Sequence, residues 1–165
     1  MKKRVDLPEK KYEGYIFDLD GTLVDSMPLH YRAWREALAR AGAPDHVFRA
    51  DEFYSCGGKS ANDVVRFLNE RYGMHMDAAS TAADKRRIYL EMLEKEGMQP
   101  IREVVEFVHS LGDAPKAIAT GSAMPGASRT LAAAGLSGLF DVILTPDEVE
   151  HGKPAPDMFL KAADR

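Results

Sequence analysis

Residues 14–19 (GYIFDL) form a short, mostly apolar run that breaks off at Asp20-Gly21. Two later stretches repeat that form. Residues 116–119 (KAIA) run into Thr120-Gly121-Ser122, and residues 141–144 (DVIL) run into Thr145-Pro146-Asp147. Short apolar runs bounded by polar turns are typical of strands covered on both faces of a parallel sheet. Parallel neighbours need a crossover between them. Residues 127–134, stopped by Gly135, supply a helix of ordinary size between the second and third runs. The pattern predicts an α/β fold.

Between the first two runs the period changes. Residues 28–96 carry only helical patterns. Tyr31, Trp34, Leu38 and Ala41 recur at helical spacing and are followed by Gly42. Val64, Val65, Leu68 and Tyr72 do the same, with Ser60 placed as an N-cap. Ile88, Tyr89, Met92 and Leu93 form a third stripe. A fourth helix, over 101–111, leads into the second strand with Val104, Val105 and Val108 on one face. This region is too long for one crossover helix. It predicts a small helical domain over 27–97, inserted after the first strand, with 1–26 and 98–165 forming the α/β part.

Composition removes several classes of function. The net charge of −4 favours neither nucleic acid nor an anionic membrane. Cys56 is the sole cysteine, so an internal disulfide and a Cys-built zinc site are both excluded. No apolar run approaches the ~18 residues of a spanning helix. The N-terminal MKKRVDLPEK has no apolar stretch behind it and so does not resemble a signal peptide. The expected compartment is the cytoplasm.

The polar clusters all fall at strand ends, where open α/β sheets bind ligands. In Asp18-Leu19-Asp20 the two carboxylates share a side if the strand continues and diverge if the chain turns at Asp20. A carboxylate can attack phosphorus, a second can move protons, and both offer hard oxygens to Mg²⁺. Thr120-Gly121-Ser122 offers hydroxyls and backbone N–H groups at a helix start, an anion cradle. Gly152-Lys153-Pro154-Ala155-Pro156 presents one lysine in a stretch held by two prolines. Each cluster alone is also an ordinary turn. Their common placement, in one order, is what points to a site.

Residues 17–26 (FDLDGTLVDS) resemble the first signature of the haloacid dehalogenase-type phosphohydrolases. Thr120-Gly121-Ser122 resembles their second signature, and Lys153 in GKPAPD their third. The helical insertion is similar to their α-helical cap. Ser26-Met27-Pro28-Leu29-His30 with Ala33-Trp34 resembles the branch of β-phosphoglucomutases and sugar-phosphate phosphatases. The resemblance implies a three-layer, Rossmann-like parallel-sheet core with a small α-helical cap after strand 1. It implies Asp18 as the nucleophile that forms an aspartyl-phosphate and binds Mg²⁺. Asp20 would be the general acid/base, with its backbone carbonyl on the metal. Thr120, Gly121 and Ser122 would hold the phosphoryl group, and Lys153 would balance charge. On the cap side it implies His30, Gly58, Lys59 and Lys85 as substrate-facing positions. For these four, a helix-start histidine, a connecting turn and a solvated lysine are the plain alternatives.

Two departures shape the expectation. The mutase grips a distal phosphate with a cap arginine, and Ala61 stands at the aligned position here. The nearest arginine is Arg66, and Lys59 is a partial substitute. A Mg²⁺-dependent phosphatase acting on small phosphorylated metabolites, sugar phosphates first, is therefore the expected activity. A phosphosugar mutase is the alternative enzyme, and a non-catalytic binding protein the alternative class. The family's fourth, acidic signature has no counterpart before Arg165, and Asp147 and Glu148 do not match it. The core is thus expected to be incomplete at its C-terminus, with Tyr15, Ile16 and Phe17 on an uncovered edge. The 165-residue chain is expected to be aggregation-prone and to have little or no Mg²⁺-dependent activity.

Overall fold

The computed structural model describes residues 12–165. The sequence reading of the N-terminal MKKRVDLPEK lies outside the described residues. Three parallel strands, β1 (Tyr15–Phe17), β2 (Lys116–Ala119) and β3 (Val142–Leu144), pair in the order β1-β2-β3. Ile16 lies beside Ala117, and Ala117 beside Val142. Seven helices accompany them: α1 (Met27–Arg40), α2 (Ala50–Ser55), α3 (Ala61–Tyr72), α4 (Ala78–Glu96), α5 (Arg102–Ser110), α6 (Met124–Ala133) and α7 (Asp157–Ala163). A 3-10 turn spans Pro146–Glu148. The α/β fold with a helical segment after strand 1 is as the sequence implies. The short α2 and the 3-10 turn carry too few residues to show a period, and both went unread.

Local chemistry explains the helix ends. Pro28 opens α1, where its missing N–H costs nothing. Ser60 caps α3 by accepting from the Asp63 N–H, and Asp77 caps α4 by accepting from the Ser80 N–H at 2.7 Å. Strand β1 is shorter than the apolar run that predicts it. Beyond Phe17 the chain curls, and the Leu19 carbonyl accepts from the N–H groups of Thr22, Leu23 and Val24. That turn consumes the backbone groups a longer strand would pair.

Side chains alternate across the sheet and sort into two covered faces. Phe17, Ile118 and Ile143 pack with Val108 of α5 and Ala127 and Leu131 of α6. Ala117, Val142 and Leu144 pack on the opposite face against Ala162 of α7. The result is three layers. A separate cluster of Trp34, Leu38, Phe48, Phe53, Val64, Val65 and Leu68 fills the space among α1, α2 and α3. Helix α1 feeds both: Leu29, Ala33 and Ala37 belong to the sheet's cluster, and Trp34 and Leu38 to the other. Ile88, Tyr89 and Leu93 of α4 also join the sheet's cluster.

Strand β1 does lie at the sheet edge. The expectation that all three of its side chains are uncovered is corrected. Phe17 is 9% exposed, with Phe107 and Phe140 at ring-centroid distances of 6.2 and 5.9 Å, and Tyr15 lies 5.8 Å from Phe107. Ile16, which points to the α7 side, is the exposed one at 36%. Phe107 of α5 and Phe140 of the loop before β3 cover one face of the edge strand.

Candidate active site

The loops after β1, β2 and β3 and the inner surface of the inserted helices enclose a cavity of about 550 Å³. Asp18, Asp20, His30, Gly58, Lys59, Lys85, Gly121, Ser122 and Lys153 all line it. Residues from six separate stretches of sequence thus meet in one place.

Asp18 follows β1 directly. Its Oδ1 accepts from the Leu19 N–H at 2.8 Å and from the Lys153 ammonium at 3.0 Å. Lys153 also donates to the Ala119 carbonyl at 2.8 Å, which ties the lysine to the end of β2. Oδ2 of Asp18 has no partner among the described residues, and the side chain is one-third exposed to the cavity.

Asp20 lies past the turn and is surrounded by donors. Its Oδ1 accepts from Ser26 Oγ at 2.7 Å and from His30 Nε2 at 2.9 Å. Its Oδ2 accepts from Ser122 Oγ at 2.7 Å and from the Thr120 hydroxyl at 3.4 Å. Burial alone would favour the neutral acid. The adjacent His30 ring and the hydrogen bonds from His30, Ser26 and Ser122 outweigh burial and hold the carboxyl well below the usual carboxylate range.

Behind His30 stands Lys85, with Nζ 2.8 Å from His30 Nδ1. An ammonium has no lone pair, so Lys85 donates and Nδ1 accepts. The proton of the neutral ring then sits on Nε2 and is donated to Asp20. Removal from water and the Lys85 charge push the His30 pKa down, against the pull of Asp20. Removal from water lowers Lys85 to about 8, with Asp20 opposing and Arg86 assisting. Its ammonium also lies 5.5 Å from the Trp34 ring and 5.3 Å from the Tyr89 ring. Of the plain alternatives for this pair, the solvated lysine does not describe Lys85, whereas His30 both packs at the start of α1 and bonds through its two nitrogens.

The loop after β2 differs from expectation at one position. Thr120 is fully buried, outside the cavity wall, and its oxygen serves Asp20 and accepts from the Ser122 N–H at 3.0 Å. A buried carboxylate draws the nearest hydroxyls to itself. Gly121, Ser122 and Ala123 are the residues of this loop that face the cavity. Gly121 is required by contact with the inserted helical segment: a Cβ there would lie 2.5 Å from the Gly58 carbonyl oxygen. Gly58 has φ +83°, the left-handed region, and a Cβ on it would meet Lys153 Cδ at 3.2 Å. Lys59 lies over the Phe67 ring at 4.9 Å. Ala61 and Arg66 also line the wall, with Arg66 paired to Asp63 at 2.8 Å.

The oxygen donors suit Mg²⁺, which takes one or two carboxylates and keeps several waters. Asp18 offers its carboxylate, one oxygen of which is open to the cavity. Asp20 has its side chain committed, so its main-chain carbonyl is what it can offer. Among the described residues, no three His, Cys, Asp or Glu side chains converge on a metal position.

A family model for haloacid dehalogenase-like hydrolases matches residues 12–165. The chain belongs to that family. It is 34% identical to fructose-1-phosphate phosphatase YqaB of Escherichia coli K12 over 157 residues, 94% of this chain and 81% of the relative. It is 34% identical to hexitol phosphatase A of the same organism, over 92% of this chain and 67% of the relative. It is 31% identical to a β-phosphoglucomutase of Mycobacterium bovis, over 96% and 70%. Among solved structures, a hydrolase from Pseudomonas syringae superposes with a TM-score of 0.80 at 29% identity, over 92% of this chain and 69% of that one. No helix among the described residues is long and apolar enough to cross a membrane.

Ser26, Tyr89 and Trp34 also belong to this haloacid dehalogenase-like site, although the sequence marks them only as motif or helix-stripe residues and gives them no role there. Ser26 was visible within the first signature. Tyr89 lies one turn beyond Lys85, so helical spacing placed it on the same face.

Proposed function

We propose that this chain is a phosphatase of phosphorylated sugars that works through an aspartyl-phosphate on Asp18. The observation that carries the reading is the asymmetry of Asp18. One oxygen is fixed by Lys153 and the Leu19 N–H, and the other is open to the cavity. A carboxylate held in this way is oriented for in-line attack on phosphorus. The relatives named for fructose 1-phosphate and hexitol phosphates support the substrate class.

In the first step Asp18 bonds to phosphorus and the sugar oxygen leaves, taking a proton from Asp20. In the second, water attacks the acyl phosphate and gives its proton to Asp20. Asp20 is a charged acceptor in the empty site. A phosphoryl dianion beside it raises its proton affinity; the His30 Nε2–H can pass to it as the Lys85 ammonium delivers a proton to Nδ1, so that the ring stays neutral and Lys85 is left as the amine. Lys153 and the backbone at Gly121 and Ser122 neutralise the phosphoryl oxygens. Mg²⁺, held by the Asp18 carboxylate oxygen that does not attack and by the Asp20 carbonyl, would add further positive charge there.

Phosphosugar mutation is the second reading. Arg86 lines the cavity and takes part in none of the salt bridges, so a cation is available despite Ala61. Incubation with a sugar monophosphate, Mg²⁺ and a bisphosphate primer separates the two: free phosphate is expected, and interconverted phosphosugars would favour the mutase. A panel of phosphorylated sugars, with the phosphoryl-enzyme located by mass spectrometry, tests the mechanism. Label on Asp18 is expected, with phosphate release wherever the chain turns over. Release by a folded Asp18→Asn chain would rule the nucleophile out.

A further inference from the structure

Tyr89 is a buried titratable side chain that the chemistry above leaves unused. It is 3% exposed and makes contacts toward two different parts of the molecule. Its ring stacks on the His30 imidazole, with centroids 4.0 Å apart and planes 11° from parallel. Its hydroxyl lies 2.8 Å from Thr130 Oγ1 on α6, the crossover helix of the sheet. Thr130 is 1% exposed, so this hydrogen bond is closed to water. Burial, with the Asp20 charge adding to it, pushes the tyrosine hydroxyl above its ordinary range and keeps it neutral.

The geometry gives this contact a job. His30 is held at Nε2 by Asp20 and at Nδ1 by Lys85, at 2.9 and 2.8 Å. Both bonds lie at the ring edge. An imidazole held by its two nitrogens still tilts about the line that joins them. A flat ring at stacking distance stops that tilt. The stacked ring must itself be held, and the Thr130 bond does so from the sheet side. The same ring lies 5.3 Å from the Lys85 ammonium, so it borders the third member of the chain as well.

We propose that Tyr89 is a positioning residue: tethered to Thr130, it holds His30 flat between Lys85 and Asp20. The functional weight of this rests on Asp20 handling protons as described above, but the geometry does not depend on that reading. A space-filling tyrosine would contribute stability and leave the imidazole unchanged, which separates the alternatives.

The test uses the 15N-labelled chain and the histidine ring signals, with His30 assigned through His30→Gln. The wild-type chain is expected to show His30 as one tautomer with an observable Nε2–H. Tyr89→Leu removes ring and tether, and is expected to lose that proton signal and to shift both nitrogens toward tautomer averages. Tyr89→Phe and Thr130→Val keep the stack and cut the tether, and are expected to exchange the Nε2 proton about ten-fold faster with water. A folded Tyr89→Leu chain with the wild-type Nε2–H signal overturns the proposal. If Tyr89→Leu does not fold, wild-type exchange in both other variants overturns it. Phosphate release is followed in parallel. Where the wild type turns over, Tyr89→Leu is expected to lower kcat by roughly ten-fold with KM within about two-fold. No turnover in the wild type would count against the phosphatase reading and leave the imidazole result standing.

Discussion

Asp18 and Asp20 stand two residues apart on one loop, yet their surroundings are opposite. Asp18 shares one oxygen with Lys153 and leaves the other open. Asp20 has both oxygens filled by Ser26, His30, Ser122 and Thr120. Side-chain exposure follows the same split, 33% against 16%. An open oxygen is what a nucleophile needs. A filled carboxylate is stable and poised, and it changes state only when a neighbour changes. The loop gives the two carboxylates opposite surroundings by turning once between them.

Four experiments press on that contrast. The largest expected effect is chemical: Asp18→Asn should cut phosphate release by about 10³-fold or more. Its urea midpoint should move by no more than about 1 kcal/mol, because the side chain is partly solvated. Asp20→Ala should show the reverse weighting in stability. Removing the centre of a buried charged network leaves His30, Ser26 and Ser122 without their acceptor and should cost about 3 kcal/mol in urea unfolding. Equal stability losses in the two variants would erase the distinction.

The third experiment concerns pH. Both Asp20 and His30 have folded pKa values below their ordinary ones of 3.8 and 6.5. The unfolded chain therefore binds their protons first as pH falls, so stability drops below the histidine value and again below the carboxylate value. His30→Gln should flatten the first drop and shrink the second, because His30 is the main group that lowers Asp20, as followed by urea midpoints across pH. The smallest effect is expected for Ser122→Ala, which removes one of several donors to Asp20. A loss of about 1 kcal/mol is expected, and no change would mean that the remaining donors suffice.

Legibility followed distance along the chain. Lys116–Ala119 is the second strand as read, and Ser60 is the cap of α3 as read, because each is decided within a few residues. The first strand was read too long, since apolarity continues through Leu19 while the backbone has already turned. Thr120 stands at the strand end as the sequence implies, and the direction of its hydroxyl is set by Asp20, 100 residues earlier. The His30–Lys85 contact spans 55 residues and has no local signal; the family resemblance singles out the two residues but not their contact.

By itself the sequence determined the elements, their order, the strand-end placement of the polar clusters and the family. Period, caps and turn residues act over a few positions, so they are written locally. Only the tertiary structure decided which Asp18 oxygen stays open, which groups fill Asp20, and that Tyr89 links His30 to Thr130. Those outcomes depend on which side chains reach one buried carboxylate first, a competition among residues that meet only after the helices close over the sheet.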